Sequence, residues 1–169
     1  KFNSFLKLCR TTAFVLRFIR NLKNSISKKF DCLVKDEEVT VSELKNAEIL
    51  WLKIAQNGFF KSGKISEVMK SLNIYTDSDS LLRSKTRLSE ATDIEGDLKF
   101  PIVLPGSDRI TEMIILDAHR QVFHMKTEAT LSKIRDRFWV IRGRQTVKKV
   151  LRNCVICKRY QGKVLKPRP

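Results

Sequence analysis

The chain contains two histidines and four cysteines, and both histidines lie in the same stretch as two of the cysteines. His119 and His124 are separated by four residues. Cys154 and Cys157, separated by two residues, follow after a gap of 29 residues. Two nitrogen and two sulfur donors in close pairs are the ligand set of a tetrahedral structural zinc site, which has no open position for a catalytic water. The alternatives are a redox-active cysteine pair and ordinary surface or core histidines, but no βαβ pattern typical of a redox motif surrounds the cysteines. The sequence therefore predicts one structural Zn²⁺ bound by these four residues.

The spacing of the two histidines argues against a catalytic zinc. They are five positions apart, about 140° around an ideal helix, so they cannot share one helical face. The helix that carries His119 should therefore end near Gln121 or Val122 and leave His124 on the following turn. Catalytic His-Glu-x-x-His sites have histidines four apart on one face with a glutamate between them, and no glutamate lies between these two. Neither a glycine-rich phosphate loop nor a Ser/His/Asp grouping is present, so the chain is not expected to be an enzyme.

Three short helices are predicted to position the four ligands. The first begins near Arg109, is capped by Ser107 and has Ile110, Met113, Ile114 and Ala118 as its apolar stripe. The second is capped by Thr127, with Leu131, Ile134 and Phe138 facing inward, and an extended segment follows at 138–140. The third covers residues 143–153 and leads to Cys154. Helices of this size bury too little surface to fold alone, so zinc is expected to contribute folding free energy directly.

The elements upstream follow from apolar periodicity and turn signals. Residues 4–27 are predicted to form a helix with the inward residues Phe5, Leu6, Cys9, Ala13, Leu16 and Ile19. Its polar side is predicted to carry Lys7, Arg10, Arg17, Arg20 and Lys23. Thr40 and Glu43 form a capping box for a helix that should stop at Asn57-Gly58, with the inward residues Leu44, Ala47, Trp51 and Ile54. A shorter helix is predicted at 65–72.

A small β-rich region should follow. Strands are predicted at 81–83 and 87–88. Residues 100–105 are predicted to be an edge strand or an extended segment, because their two prolines withhold hydrogen-bond donors. The carboxylates Asp93, Glu95 and Asp97 are interpreted as a solvated turn. The fold class is therefore mainly α with a small β-rich bridge and a C-terminal three-helix zinc bundle. The predicted divisions are a basic helical region (1–72), a β-rich connector (73–107), the zinc domain (108–160) and a basic tail (161–169).

The formal net charge of +16 is concentrated at the two ends of the chain. Residues 1–29 hold eight Lys/Arg and no acids, residues 30–125 hold twelve basic and sixteen acidic residues, and residues 126–169 hold fourteen basic and two acidic residues. Such a balance favours a polyanionic partner, most simply DNA, contacted mainly through its phosphates. The candidate nucleic-acid contacts are Arg135, Arg137, Arg142, Arg144, Lys148, Lys149, Arg152, Lys158, Arg159 and Lys163.

The remaining cysteines and the hydropathy of the chain argue against a disulfide-rich scaffold and against a membrane-spanning protein. Cys9 and Cys32 add too few thiols for a disulfide scaffold, which indicates a reducing compartment. No apolar run approaches the roughly 18 residues that span a bilayer, so a membrane partner is not expected. The first helix could lie on a membrane or on nucleic acid, but a core-packing helix with a solvated basic face is the favoured interpretation.

Several segments resemble a known family. The His-x4-His pair, the following Ala-Thr-Leu, Arg135-x2-Phe138-Trp139-Val140, Arg144-x2-Val147 and Cys154-x2-Cys157-x-Arg159 resemble the His-His-Cys-Cys (HHCC) zinc-binding N-terminal domain of retroelement integrases, in particular those of Pao/BEL-type long-terminal-repeat retrotransposons. Residues 12–19, 81–83, 87–89 and 101–105 resemble the polyprotein stretch before the integrase. The chain departs from the family at Lys126 and at Lys85-Thr86, where the family has glycines.

The resemblance implies a helical bundle closed around zinc that contacts the element's DNA ends and joins other integrase subunits. It also implies that the chain is a segment of a longer polyprotein, in the nucleus and in cytoplasmic particles, and that the catalytic core lies elsewhere in that polyprotein. The alternative is a zinc-stabilised protein–protein module without direct DNA contact, in which Met125, Phe138 and Trp139 form a self-association patch. A transcription-factor zinc finger is disfavoured, because its cysteine pair precedes its histidine pair and only about a dozen residues separate the two pairs.

Overall fold

The computed structural model describes residues 2, 4–26, 38–60, 72–90 and 96–160. These residues form six α-helices, two 3₁₀ turns and one four-stranded sheet. The helices are α1 (Phe5–Ile26), α2 (Val41–Phe60), α3 (Arg109–Gln121), α4 (Thr127–Arg135), α5 (Gly143–Leu151) and α6 (Val155–Tyr160). The strands are β1 (Ile74–Thr76), β2 (Leu82–Ser84), β3 (Ile102–Leu104) and β4 (Phe138–Val140). The prediction of a mainly helical chain with a small β region is confirmed.

The sheet has the order β1-β2-β3-β4 and joins the β-rich region to the zinc segment. β1, β2 and β3 pair antiparallel, whereas β3 and β4 pair parallel with Val103 opposite Trp139. β3 is therefore an inner strand, and all three of its residues are buried. The predicted edge position was wrong because Pro101 and Pro105 flank the paired residues instead of interrupting them. The Pro101 carbonyl even accepts a hydrogen bond from the Ser84 amide at 3.0 Å.

Two further predictions in the β-rich region were wrong. Residues 87–90 form a 3₁₀ turn rather than a strand, and β1 was missed. Asp97 is not a purely solvated carboxylate, because it accepts hydrogen bonds from Arg83 at 2.8 Å and from Arg137 at 3.2 Å. Asp93 and Glu95 lie outside the described residues.

Helix α1 was predicted correctly in extent but only partly in orientation. Cys9 and Ala13 face the core as predicted, but Leu6 and Ile19 are 48% and 43% exposed. Arg17, predicted on the polar side, is buried. Its guanidinium is bound by the Glu43 carboxylate, with Nε 3.0 Å from Oε1. Apolar periodicity could not reveal this inward position, because an ion pair rather than hydrophobicity determines it.

Helix α2 begins with the predicted capping box. The Glu43 amide donates to Thr40 Oγ1 at 3.3 Å, and the Thr40 amide donates to the Glu43 carboxylate at 3.2 Å. The helix continues to Phe60, beyond the predicted stop at Asn57-Gly58. Ala47 is buried as predicted, Leu44 and Trp51 pack against the core, but Ile54 is 46% exposed. Of the predicted helix at 65–72, only Leu72 lies among the described residues.

The buried Gln56 side chain attaches α2 to the sheet. Its amide nitrogen donates to the carbonyls of Leu82 and Val103 at 3.0 and 2.9 Å, and its amide oxygen accepts from the Leu82 amide at 3.0 Å. A buried amide with all these partners specifies one packing of helix on sheet, because any other register would leave polar groups unsatisfied. Residues of α1, α2, the sheet and α3–α5 belong to one hydrophobic core. The division of the chain at residues 72, 107 and 160 stays a prediction.

Candidate metal centre

Helix α3 carries the first histidine. Asp108, rather than the predicted Ser107, caps this helix, since its side chain accepts a hydrogen bond from the Ile110 amide at 2.7 Å. The predicted stripe, including Met113 and Ile114, is buried. His119 lies in the last turn of the helix and is only 1% exposed. Burial of the stripe therefore fixes the imidazole at the edge of the core.

The second histidine lies on the turn after α3, as its spacing predicts. The helix ends at Gln121, and Phe123 and His124 adopt left-handed backbone conformations with φ of 51° and 59°. This reversal brings the two imidazoles together, with ring centroids 4.6 Å apart. Lys126, which replaces the family's glycine, has φ of −58°. Every L-residue accepts that value, so the turn does not require glycine at this position.

Helix α4 packs beside the histidines. The predicted capping role of Thr127 was wrong, because Lys126 occupies the N-cap position and Thr127 is the first helical residue. The residues predicted to face inward are all buried, namely Leu131, Ile134 and Phe138. Thr130 on the same helix is completely buried and faces His119.

The cysteines lie at the junction of two helices. α5 ends at Leu151, before the predicted residue 153, and the separate helix α6 follows. Cys154 precedes α6, and Cys157 lies within it. The Lys158 amide donates to the Cys154 carbonyl at 3.0 Å, which closes the turn between the two thiols. A helix of six residues is too short for apolar periodicity to reveal.

The four predicted ligands meet at one point. His119 Nε2 lies 3.1 Å from Cys157 Sγ, and His124 Nδ1 lies 3.3 Å from Cys154 Sγ and 4.0 Å from Cys157 Sγ. All four donor atoms lie within 4.8 Å of one another. Zinc–nitrogen and zinc–sulfur bonds of about 2.0 and 2.3 Å require donors about 3.3–3.8 Å apart in a tetrahedron. The donor set and its geometry therefore fit one structural zinc ion, as predicted.

The environment of the ligands favours a neutral His119 and makes zinc binding dependent on proton release from Cys157. Burial lowers the pKa of His119, and the charge of His124 lowers it further. Burial raises the pKa of the Cys157 thiol, with additional contributions from the hydrogen bond and charge of Cys154. Without metal the Cys157 thiol therefore holds its proton more firmly, and zinc must displace it on binding.

Thr130 orients the first ligand. Its hydroxyl lies 3.1 Å from His119 Nδ1 and donates in turn to the Lys126 carbonyl at 3.4 Å. When Nε2 binds zinc, Nδ1 carries the proton and donates to Thr130. Such outer partners fix the tautomer and the ring orientation of a metal-bound histidine.

Replacing Thr130 by valine is expected to weaken zinc binding without unfolding the protein. Valine keeps the shape but cannot accept the His119 proton, so zinc affinity should fall about 10- to 100-fold. Competition with a chromogenic chelator measures this change. Thr146→Val is the matched control, because the Thr146 hydroxyl is also mostly buried but bonds the Ile141 carbonyl instead of a zinc ligand. Equal zinc affinity of the two variants would contradict the assignment.

The structure separates the candidate phosphate contacts into two groups. Arg137 forms ion pairs with Glu48 and Asp97, and Arg144 pairs with Glu128. The others that the structure describes are exposed and have no ion-pair partner among the described residues: Arg135, Arg142, Lys148, Lys149, Arg152, Lys158 and Arg159. Lys163 lies outside the described residues.

The predicted self-association patch is not exposed as a unit. Phe138 is buried and Trp139 is half-buried, because both belong to β4. Only Met125 is exposed, at 60%. Sequence reasoning missed a different apolar group around the zinc ligands, because each member looks like an ordinary helix or turn residue in the sequence. Its members are the exposed residues Phe123, Val155, Ile156 and Tyr160.

The fold and the site together define a zinc-stabilised helical domain of the His-His-Cys-Cys type. Residues 107–163 match the family model described as the integrase zinc binding domain. In this segment the chain is therefore similar to the integrase zinc binding domain. Comparisons with curated proteins and with solved structures found no match. Among the described residues, no helix is long and apolar enough to cross a membrane.

Proposed function

We propose that this chain is a zinc-binding segment of an integrase and that it binds DNA through the outer side of α5. One observation supports the proposal above all. Lys148 and Lys149 lie on the exposed side of α5, opposite the buried Val147 and Val150. Arg152, the C-cap residue, follows them by four and three residues on the same side. Residues 143–160 include six Lys/Arg and no Asp or Glu. An unneutralised row of cations on a rigid helix is suited to phosphate contacts, which position a protein on DNA without reading its sequence.

The same surface explains why the zinc matters for binding. α5 reaches the metal through Cys154, and its inner side packs in the core through Val147, which is completely buried. The cations are therefore held on a surface whose geometry depends on the zinc site. We propose that zinc supports DNA binding indirectly, by keeping these side chains on one side of a folded helix.

The proposal predicts a salt-dependent affinity that falls when the cations of α5 are neutralised. In Lys148→Gln/Lys149→Gln/Arg152→Gln, the slope of log affinity against log salt should decrease in magnitude by about 2–3, because each phosphate contact contributes about 0.9. Glutamine keeps the helix propensity, so the fold should persist. Fluorescence anisotropy with a labelled DNA duplex over a range of salt concentrations measures the slope.

The matched control removes the same charge elsewhere. Lys7→Gln/Arg10→Gln/Lys23→Gln neutralises three exposed cations of α1. If both triple variants lose affinity equally, overall charge rather than the α5 surface governs binding, and the proposed surface is wrong.

We further propose that the segment comes from a Pao/BEL-type retrotransposon polyprotein and acts in DNA integration, in cytoplasmic particles and in the nucleus. The motifs that resemble that family support the lineage, and the match to the integrase zinc binding domain supports a role in integration. Assembly with other integrase subunits is the second candidate function, supported by the exposed apolar residues around the zinc. Zinc-dependent oligomers in sedimentation, without salt-sensitive DNA affinity, would favour assembly as the principal role.

A further inference from the structure

An open cleft of about 610 Å³ lies beside the zinc ligands His124 and Cys157. Its other lining residues are Arg120, Phe123, Ile156 and Tyr160. The volume lies within the range of clefts that accept small organic groups. Two of the six lining residues are zinc ligands, so a bound zinc ion would hold both sides of the cleft in place, and binding there would order little additional chain.

Two aromatic rings lie at this cleft in almost full contact with water. Phe123 is 87% exposed and Tyr160 is 89% exposed. Phe123 also has the left-handed backbone of the turn, which places its side chain outside the core while the adjacent His124 faces the metal. Exposed rings beside a cationic surface are the platforms on which single-stranded nucleic acids stack their bases, irrespective of sequence.

The charges around the cleft favour a polyanion over a second copy of the chain. Its lining residues include the cation Arg120, which pairs with Asp117. The chain segments that supply the lining, 120–126 and 154–160, also contain Lys126, Lys158 and Arg159 and no Asp or Glu. A two-fold contact between copies would place the same cationic patch on both sides of the interface, which is electrostatically unfavourable. A nucleic-acid strand instead supplies phosphates for these cations and bases for the rings.

We propose that this cleft binds an unpaired base of a nucleic-acid strand, stacked on Phe123 or Tyr160 with its phosphates near Lys158 and Arg159. The base must be unpaired because both faces of a base inside a duplex are covered by its neighbours, whereas a single-stranded extension presents a free face. The inference rests on the proposed DNA-binding function and specifies which part of the DNA this second surface contacts.

The test compares two probes with the zinc-loaded full chain. One is a blunt duplex, and the other is the same duplex with a short oligothymidine extension. The wild type should bind the extended duplex at least about fivefold more tightly, the gain expected from stacking one base on an aromatic ring. Phe123→Leu and Tyr160→Leu keep apolar bulk but remove the ring, so they should reduce this preference and leave the affinity for the blunt duplex unchanged. Phe123→Tyr and Tyr160→Phe keep the ring and should keep the preference.

A fluorescent base analogue in the extension gives a second readout. Its emission should be quenched on binding to the wild type and to the ring-keeping variants, and less so on binding to the leucine variants. Metal stoichiometry and circular dichroism establish that each variant is folded and holds zinc, so a lost preference cannot arise from unfolding.

The outcomes separate this inference from the proposed function. Equal affinity of the wild type for both probes would contradict the proposal that the cleft binds a base, but not the proposal that α5 binds duplex DNA. Binding to oligothymidine but not to the blunt duplex, lost in the leucine variants, would support the cleft and contradict the α5 proposal. If the chain binds neither oligothymidine nor the blunt duplex, both proposals are wrong. If the leucine variants instead abolish a dimer and leave the preference unchanged, the cleft joins copies of the chain and the inference is wrong.

Discussion

Chelation of the zinc ion is expected to unfold the segment from His119 to Cys157. Structural zinc contributes an apparent binding free energy on the order of 10–16 kcal/mol in small domains, which is similar in size to the roughly 5–15 kcal/mol stability of a whole domain. The buried residues of α4 and α5 cannot compensate for a loss of that size. Far-ultraviolet circular dichroism during titration with a chelator should show loss of helix, and metal analysis should give one zinc per chain before the titration.

Cys154→Ser should reproduce the effect without a chelator, because a serine hydroxyl does not replace a thiolate as a zinc ligand. Cys9→Ala is the matched control, since Cys9 is equally a buried thiol but lies in α1, outside the ligand group. Burial raises the pKa of Cys9 to about 12, and the nearby carboxylates Glu48 and Asp117 raise it further, so this thiol stays protonated and binds no metal. Cys9→Ala should keep one zinc. A chelated protein that keeps its full helicity and cooperative melting would contradict the structural role of the metal.

Breaking the ion pair between Arg17 and Glu43 is expected to have the second largest effect. The two side chains are 6% and 9% exposed. Arg17 also donates to the Glu38 carbonyl at 2.6 Å, and Arg20 donates to Glu43 at 2.7 Å. Arg17→Met leaves the buried carboxylate with the partly exposed Arg20 as its only cationic partner among the described residues, so the free energy of unfolding should fall by about 3–5 kcal/mol. Urea denaturation of the zinc-loaded protein measures the change.

Two variants test whether the large loss of stability arises because the ion pair is buried. Arg144→Met breaks a pair whose side chains are 75% and 64% exposed, and it should change stability by at most about 1 kcal/mol. Arg17→Met/Glu43→Leu removes both buried charges and should recover part of the lost stability. If the buried and the exposed single variants cost the same, the ion pair of Arg17 is not a major determinant of helix packing.

The same ion pair predicts a pH dependence. The hydrogen bond from Arg17, together with those from Thr40 and Arg20, outweighs burial and lowers the pKa of Glu43 to about 2 from an ordinary value of 4.5. Because the folded pKa lies below the unfolded pKa, the stabilisation is complete above about pH 4.5 and is lost as the pH falls toward 2. The stability difference between the wild type and Glu43→Gln should therefore shrink through this window. The comparison applies to the pH values at which both proteins still hold zinc, because zinc is released in acid.

The sequence predicted the metal centre more fully than the fold around it. Ligand identity depends on chemistry and spacing, so His119, His124 and the two cysteines were predicted directly, including the end of α3 between the histidines. The pairing of β3 with β4 was not predicted, because it joins residues far apart in the chain and leaves no local pattern. The inward Arg17 was missed for a related reason, since its partner Glu43 lies on another helix.

The cleft beside the zinc was also beyond sequence reasoning. Phe123 follows the apolar Val122 and precedes a ligand, so its residue type alone suggests burial rather than 87% exposure. The left-handed backbone that places it outside the core becomes visible only once the turn is built. Apolar residues near a metal usually belong to the hydrophobic core. At this site the backbone geometry, rather than the residue type, shows that Phe123 lies outside the core.

The parallel pairing of β3 with β4 bears on how this segment can be isolated. The matched family region begins at residue 107, after β3, whereas β4 lies inside it. A fragment cut at that point would leave one side of β4 with unpaired amides and carbonyls and with apolar side chains that β3 normally covers. Such an edge invites pairing with another molecule and aggregation. A soluble fragment should therefore start before Pro101. Comparing its folding with that of a fragment that starts at residue 107 would show whether the zinc site needs β3 in order to fold.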